Sequence, residues 1–414
     1  MFVSTYKFTC SERFLKYVKY DTESDPDSTM YPSTRKQKVL LKELAEELKG
    51  MGLKDAQMDE WGYVMATLPS NVDKNVPTIA FIAHVDTSPQ VSGANVKPAI
   101  IKNYGGEDIR LENGLTIDVK DNPDLKDKIG HDIITTDGNT LLGADDKAGV
   151  AEIMDAMNYL LSHPGVKHGT IKVCFTPDEE IGKGTDKLDV KELGAQFGYT
   201  IDSGGIGEIK TETFNADGVT IKFHGISAHP GYSKGKMVNS IKAAAAFIDG
   251  LPKDSLAPEA VEGREGFVHC LSVTGNEELT TLKLIVRDFE RKKLKEYEEL
   301  LKTLAECTVR QFPGSKFDLE VHEQYRNMGE VLEKFPKVTE YALEAMRRLG
   351  LEPKIGDTRG GTDGARLSFK GVPTPNLFDG SHNIHSPLEW ITVQDMELAV
   401  KAIVEIAGVW EEKS

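Results

Sequence analysis

Short apolar runs that lead into acidic or histidine residues constrain the fold of this chain more than any other feature. Residues 79–83 are apolar at every position and are followed directly by His84. The strand-like segments 171–175 and 199–201 are mostly apolar and are followed by Asp178 and Asp202. A continuous apolar run is typical of a strand that is buried on both faces, as in a parallel sheet covered by helices.

Segments with helical periodicity lie between these strand-like runs. Residues 35–48 and 149–161 carry apolar side chains at helical spacing. We expect Gly50 and Gly52 to end the first of these helices. The alternation predicts an α/β fold with a mixed, mostly parallel sheet covered by helices. Ligands of such sheets collect beyond the carboxyl ends of the strands, where several of the acidic residues fall.

The pattern changes after about residue 215. Strand-like runs at 219–223, 268–273, 281–286 and 317–322 alternate with helical segments at 237–248 and 289–307. This β-α-β-β-α-β order is the ferredoxin-like arrangement. The α/β pattern then resumes and ends in a helix near 393–409. A chain of 414 residues is long enough for two domains. We therefore predict a discontinuous catalytic domain, 1–213 and 325–414, interrupted by an inserted ferredoxin-like α+β domain, 214–324.

Composition and charge exclude several classes of partner. The formal net charge is −16, whereas binding to nucleic acid needs a basic face. No apolar run approaches the ~20 residues of a membrane helix, so we expect no membrane partner. The amino terminus lacks the apolar core and cleavage site of a signal peptide. The four cysteines lie far apart with no CxxC pair, which predicts reduced thiols and a cytoplasmic location.

Histidine and carboxylate residues at the predicted strand ends supply ligands for metal ions. In HVD, an imidazole on His84 could bind a metal, with a nearby carboxylate fixing its tautomer. A hydrogen-bonded structural histidine explains this motif equally well on its own. In GADDKAG, the glycines allow a tight turn that presents a carboxylate able to bridge two cations. The alternative is a helix amino terminus carrying acidic residues that the helix dipole stabilises.

Two adjacent glutamates, Glu179 and Glu180, follow the strand-like run at 171–175. Like charges repel, so a solvated loop is their ordinary explanation. Nearby metals would instead let one glutamate bind while the other stays free to move a proton. With Asp202 and His385, these residues suffice for two divalent metals and a spare carboxylate. The combination predicts a hydrolase that activates water.

Six longer motifs resemble those of a known enzyme family. They are HVDTSP, TLLGADDKAGVAEI, FTPDEEIGKG, AHPG, RGGTDGA and PNLF. These motifs are similar to those of the aminotripeptidases, a branch of the co-catalytic zinc metallopeptidases that also include aminoacylases and glutamate carboxypeptidases. The resemblance extends through nearly the whole chain. It implies two zinc ions per subunit, a lid formed by the inserted domain, and release of the amino-terminal residue from tripeptides.

The resemblance also implies how the metal ligands are divided. Asp145 matches the carboxylate that bridges both zinc ions in the family. His84 and Asp202 match the remaining protein ligands of one ion. Glu180 and His385 match those of the other ion.

Two further residues match positions that assist the metals. Asp86 matches the carboxylate that orients the ring of His84. Glu179 matches the general base, which takes a proton from the attacking water and passes it to the leaving amine. The peptide bond between Asp145 and Asp146 is cis in the family.

Substrate recognition is predicted to rely on the inserted domain and on the RGGTDGA loop. Arg287 and Arg359 resemble family positions near the far end of the substrate, where a guanidinium could bind the terminal carboxylate of a tripeptide. Arg287 could instead pair with an acidic residue of the inserted domain. His229 resembles the lid histidine that reaches the reacting carbonyl, although a loop histidine at a proline turn is the plain alternative.

The sequence leaves other functions and the assembly open. A deacylase or a carboxypeptidase could use the same dinuclear core. An inactive relative could bind peptides without cleaving them. The oligomeric state is also open, with a homodimer as one candidate.

Overall fold

The structure is a computed structural model that describes residues 5–414. The strands in this part of the chain are β1 Gln57–Met58, β2 Val64–Leu68, β3 Ile79–His84, β4 Ala99–Ile101, β5 Ile109–Arg110, β6 Thr116–Ile117, β7 Ile133–Thr135, β8 Ile171–Thr176, β9 Phe197–Ile201, β10 Glu208–Thr213, β11 Asn215–His224, β12 Phe267–Gly275, β13 Leu279–Asp288, β14 Lys316–Tyr325, β15 Lys354–Thr358, β16 Asn376–Leu377 and β17 Ile391–Thr392. The α-helices are α1 Cys10–Tyr17, α2 Gln37–Met51, α3 Ala144–Ser162, α4 Val190–Leu193, α5 Ser240–Asp249, α6 Arg291–Gln311, α7 Gly329–Leu332, α8 Pro336–Arg348, α9 Asp363–Phe369 and α10 Val393–Glu412.

The largest sheet has eight strands in the order β1-β2-β8-β3-β9-β16-β10-β15. Its central pairs, β8–β3, β3–β9 and β9–β16, are parallel, whereas β1–β2, β2–β8 and β10–β16 are antiparallel. Parallel neighbours place the carboxyl ends of β3, β8 and β9 at the same edge of the sheet. The predicted α/β fold with a mixed sheet is confirmed.

Strand β3 is buried along its whole length because the sheet is covered on both faces. Phe81 joins the larger core with residues of α3 and α10. Ile82, its neighbour, joins a second core with Leu193 of α4 and Leu367 of α9. Alternate residues of a strand point to opposite faces, so a strand between two cores is apolar at every position.

The prediction that Gly50 helps to end helix α2 was wrong. Gly50 lies inside the helix, which continues to Met51. Gly52 ends it with a φ of 116°, a left-handed conformation that glycine adopts without steric cost. A glycine within a helix costs only about 1 kcal/mol relative to alanine, and packing of the helix compensates for that cost.

The described residues divide into two compact units. The first contains the described residues up to Thr211 together with Met328–Asp357 and Thr362–Ser414. The second contains Glu212–Asn327 and Thr358–Gly361. Among residues 5–414, no helix combines the length and apolar character needed to cross a membrane.

The second unit is built on a four-stranded antiparallel sheet in the order β12-β13-β11-β14. Helices α5 and α6 pack on this sheet through a core that includes Phe223, Phe247, Leu284 and Leu301. The strand order and the two helices are those of a ferredoxin-like fold, which confirms the fold predicted for the inserted domain.

Candidate metal centre

His84 is the last residue of β3, and its ring is buried at the carboxyl edge of the sheet. Nδ1 lies 3.0 Å from the backbone oxygen of Asp86, which can only accept, so Nδ1 carries the hydrogen. Nε2 therefore points towards the carboxylates, 2.9 Å from Asp145 Oδ1 and 3.8 Å from Asp202 Oδ1. Burial opposes a positive charge on the ring, but hydrogen bonds to Asp145 and Asp86 outweigh it and raise the pKa of His84 well above its usual value.

The carboxylate of Asp145 lies between two imidazoles. Asp145 lies two residues after Gly143, which has a φ of 81°, and the peptide bond between Asp145 and Asp146 is cis. Oδ1 is 2.9 Å from His84 Nε2, and Oδ2 is 3.0 Å from His385 Nε2. Burial alone would raise the pKa of Asp145, but the hydrogen bonds to His385 and His84 outweigh that effect and hold the pKa below its usual range. Each carboxylate oxygen thus lies beside a different histidine, an arrangement compatible with a carboxylate that binds one ion through each oxygen.

Glu180 completes a triad with His84 and Asp145 whose ligand atoms all lie within 4.8 Å of one another. Its Oε2 is 2.9 Å from His385 Nε2, whereas its Oε1 is buried without a hydrogen-bond partner. Burial and the charge of Asp145 raise the pKa of Glu180 to about 7. Burial opposes protonation of His385, but Asp145 and Glu180 together raise its pKa to about 10.

A second triad consists of His84, Asp146 and Asp202, again with ligand atoms within 4.8 Å. Asp202 follows β9, and its backbone N–H donates to Leu377 O at 2.8 Å. The carboxylate of Asp146 accepts the backbone N–H groups of His84 and Gly149 at 3.1 and 3.2 Å. Both oxygens of Asp146 already accept backbone N–H groups, so its carboxylate stabilises the backbone around the site. We therefore infer that Asp202 is the better ligand of the two.

These residues fit a centre of two divalent cations. Nitrogen and carboxylate oxygen are the donors that Zn²⁺ and related metals accept in water-activating sites. Oε1 of Glu180 is buried and has no hydrogen-bond partner, so it is available as a metal-ligand atom in the cluster. Burial, together with the negative charge of Asp145, raises the pKa of both Asp202 and Glu180. Cations in the cluster would relieve this repulsion and keep the carboxylates ionised.

Asp86 has a wider role than the sequence indicated. Its carboxylate accepts the backbone N–H of Glu179 at 2.9 Å and that of Glu180 at 3.2 Å. The ring of His84 is closest to the backbone oxygen of Asp86, at 3.0 Å, with Oδ1 at 3.4 Å. Asp86 therefore orients His84 mainly through its backbone and holds the turn of the two glutamates through its side chain.

Glu179 begins a short 3-10 turn, Glu179–Ile181, and is partly exposed. It belongs to neither triad. Loss of hydration in the site raises the pKa of Glu179 well above its usual value, and the charges of Asp363, Glu180 and Asp86 act in the same direction. A carboxylate with a raised pKa accepts and returns a proton more readily near neutral pH.

Some residues that hold this turn were missed by sequence reasoning. Asp178 has a φ of 58°, and its carboxylate accepts the backbone N–H of Ser33 and the side-chain amide of Gln37, both at 2.6 Å. Gln37 in turn accepts the backbone N–H of Asp178 at 3.1 Å. Glu389 was missed as well, although it contacts the backbone beside Asp145. Because Ser33 and Gln37 lie more than 140 residues from Asp178 along the chain, no local motif could reveal them.

The three predicted substrate-binding residues all belong to the second unit. His229 is exposed, and its Nδ1 accepts the backbone N–H of Gly231 at 3.2 Å. Arg287 donates to the backbone oxygen of Val286 at 3.0 Å and lies over the ring of Tyr325. Arg359 donates to the backbone oxygen of Glu265 at 3.0 Å. Their roles towards a substrate stay predictions.

The chain is similar to known proteins in both sequence and fold. Residues 134–408 match the sequence profile described as Peptidase family M20/M25/M40. The protein named Peptidase T from Geobacillus thermodenitrificans is 50% identical over 405 residues, which cover 97% of this chain and 98% of that protein. The crystal structure of aminopeptidase PepT from Bacillus cereus is similar with a TM-score of 0.73 and 25% identity, over 97% of this chain and 98% of the other.

A more distant structure has the same fold. The YXEP protein of Bacillus subtilis, described as a dinuclear metal binding peptidase from the M20 family, has a TM-score of 0.66 and 16% identity. The alignment covers 98% of both chains. At this identity the likeness concerns the fold alone.

Proposed function

The chain belongs to Peptidase family M20/M25/M40, and from that membership we propose that it is a tripeptide aminopeptidase working with two zinc ions per subunit. It is a hydrolase of the metallopeptidase class. Its relatives named Peptidase T align over almost the whole of both chains, so the comparison includes the inserted domain as well as the metal centre. The observation that carries the proposal is the carboxylate of Asp145, with His84 at one oxygen and His385 at the other.

We assign the metal ligands as the family resemblance implies. Asp145 would bridge the two ions. His84 and Asp202 would complete the protein ligands of one ion, and Glu180 and His385 those of the other. Bound zinc would lower the pKa of a coordinated water and polarise the carbonyl group of the substrate.

The proton moves through Glu179. Its carboxylate takes a proton from the attacking water, holds it because its pKa is raised, and returns it to the nitrogen of the leaving amine. Asp86 keeps Glu179 in position by accepting its backbone N–H at 2.9 Å. In this assignment Glu179 is not a metal ligand, so its carboxylate is free to carry the proton.

Selection for tripeptides would come from Arg287, Arg359 and His229. A guanidinium binds a carboxylate through two parallel hydrogen bonds, so a fixed arginine can recognise the end of a peptide of set length. His229 would contact the reacting carbonyl. Arg287 and Arg359 now donate to backbone oxygens, contacts that a substrate carboxylate could replace.

A substrate-length series tests the activity. The zinc-loaded protein should cleave a tripeptide much faster than the corresponding dipeptide or an N-acylated amino acid, and should release the amino-terminal residue first. Preference for the acylated amino acid would indicate a deacylase, and release of the carboxyl-terminal residue would indicate a carboxypeptidase. Binding without any cleavage in the presence of zinc would indicate an inactive peptide-binding relative.

We also propose that the enzyme works in the cytoplasm, without nucleic-acid or membrane partners. The net charge of −16 and the free thiols of all four cysteines support this assignment. The oligomeric state is still open, with a homodimer as one candidate, and the mass of the protein in solution tests it.

A further inference from the structure

Glu389 is a buried acid that neither metal triad includes. Only 1% of its surface is exposed. Its carboxylate accepts three backbone N–H groups, those of Leu142 at 2.6 Å, Gly143 at 2.8 Å and Asp145 at 3.1 Å. The first two groups share Oε2, and the third is bound by Oε1. One side chain thus accepts three of the four backbone N–H groups of residues 142–145.

These donors converge because of the shape of the turn. Gly143 has a φ of 81°, so the successive N–H groups of this segment point inward rather than alternating. Such a row of backbone N–H groups forms a concave binding site for an anion. Without an acceptor the groups would be buried and unsatisfied, which folded proteins avoid. The carboxylate of Glu389 therefore determines whether the turn can keep its conformation.

The segment that carries Glu389 also carries His385. The backbone N–H of Glu389 donates to Ser386 O at 3.2 Å, which closes a turn directly after His385. The backbone groups of His382 and Trp390 bond to each other at 2.9 and 3.1 Å on either side of this segment. His385 therefore lies in a closed loop whose one end, through Glu389, is attached to the turn of Asp145.

We propose that Glu389 is a positioning residue for the metal centre, which sets the carboxylate of Asp145 against the imidazole of His385. This inference rests on the proposed function, since it assigns the bridging role to Asp145. Glu389 acts through the backbone of Asp145 and touches neither the substrate nor the metals. Its loss would let the bridging carboxylate and the His385 loop move apart, although every ligand would still be present.

A matched control separates positioning from simple structural support. Asp155 is also a fully buried carboxylate of the first unit that accepts backbone N–H groups, from Thr9 at 2.8 Å and Cys10 at 3.0 Å. It attaches the segment before α1 to helix α3 and has no contact with the metal ligands among its hydrogen bonds. Asp155→Asn should therefore lower the melting temperature without changing metal binding.

The test compares wild type, Glu389→Gln, Glu389→Asp and Asp155→Asn after metal removal. Zn²⁺ affinity is measured by competition with a chromophoric chelator, and the geometry of the site by the visible absorption of bound Co²⁺. We expect Glu389→Gln to weaken Zn²⁺ binding by about 10–100-fold, as is typical when a partner of a metal ligand is lost. Its Co²⁺ spectrum should also change. Glu389→Asp, which keeps the charge, should recover part of the affinity.

Unchanged Zn²⁺ affinity and an unchanged Co²⁺ spectrum in Glu389→Gln would overturn the proposal, even if the variant melts as early as Asp155→Asn. If Glu389→Gln fails to fold, the Zn²⁺ affinity and the Co²⁺ spectrum are measured on Glu389→Asp instead. A Zn²⁺ affinity and a Co²⁺ spectrum equal to those of wild type would then overturn the proposal. If the wild type itself binds neither ion in the site, the proposed function fails instead. The two failures are thus distinguishable.

Discussion

The carboxylate of Asp86 accepts the backbone N–H of Glu179 at 2.9 Å, which joins the strand end that carries His84 to the turn that carries the proposed general base. The next N–H, that of Glu180, donates to the same carboxylate at 3.2 Å. The proposed metal ligand on β3 and the proposed proton carrier after β8 are thereby held to one another by a single buried side chain.

Replacement of Glu179 by alanine should remove nearly all turnover while both metals stay bound. Glu179 is not among the ligands that we assign, and its raised pKa suits a proton carrier. Loss of a general base typically lowers the rate by about 10²–10⁴-fold. Metal content by elemental analysis and kcat for a tripeptide are the two measurements. Substantial activity at full metal occupancy would remove Glu179 from this role.

Replacement of Asp86 by asparagine should impair the turn of the glutamates without removing a metal ligand. The carboxamide places an NH₂ group, which can only donate, where one of the two accepting oxygens of Asp86 now lies, so one of the two backbone N–H groups would lose its acceptor. We expect kcat or the metal affinity to fall by about 10–100-fold, as is typical when a residue hydrogen-bonded to a metal ligand is replaced. Glu179→Ala should then lower the activity of the Asp86→Asn variant by less than it lowers that of wild type, because both changes act on the same proton carrier. Full additivity of the two losses would show that Asp86 acts elsewhere.

The fold could be predicted from the sequence where burial on both faces leaves a readable pattern. Strand β3 was predicted because Phe81 and Ile82 each face an apolar core, so the run has no polar interruption. Short strands such as β16 Asn376–Leu377 have no such signal, since two residues carry no period. Their place is decided by pairing with distant strands, here β9 and β10.

The candidate site likewise contains residues that the sequence reveals and residues that it does not. Some of its charged residues stand out in the sequence because they directly follow strand-like segments, as His84 and Asp202 do. The groups that hold them do not stand out. Gln37 lies within an amphipathic helix and reaches Asp178 across 141 positions, and Glu389 reaches the turn of Leu142 across 247. Such contacts depend on the tertiary fold, which the spacing of residues within a short motif does not reveal.

Metal binding should release protons, and the release should diminish as the pH rises through 7. Glu180 has a pKa of about 7 and His385 a pKa of about 10, and both must lose a proton to act as ligands. At about pH 6 both groups are protonated, whereas at about pH 8 only His385 is, so Glu180 contributes to the release only at the lower pH. Calorimetric titration with Zn²⁺ in buffers of different ionisation enthalpy counts the protons. Equal release at both pH values would contradict the prediction.

A buried hydrogen-bond chain should contribute to the stability of the first unit. Trp410 Nε1 donates to Tyr199 Oη at 2.8 Å, and Tyr199 Oη donates to Val338 O at 2.7 Å, which connects α10, β9 and α8. Tyr199→Phe leaves the indole N–H and the carbonyl oxygen buried without this partner. We expect the free energy of unfolding to fall by about 1–3 kcal/mol. Chemical denaturation measures it, and tripeptide hydrolysis by the folded variant should be unchanged.

Recognition of the substrate carboxylate by Arg287 can be isolated with an amidated tripeptide. If the guanidinium of Arg287 binds the terminal carboxylate, Arg287→Met should raise KM for the free tripeptide, with a loss of about 1.5–3 kcal/mol for a charged hydrogen bond. The same substitution should hardly affect the amidated tripeptide, because the wild type has already lost the interaction there. Equal losses for both substrates would mean that Arg287 supports the sheet of the second unit, where it donates to Val286 O and lies over Tyr325. The same comparison of free and amidated tripeptide with Arg359→Met then shows which of the two arginines recognises the end of the peptide.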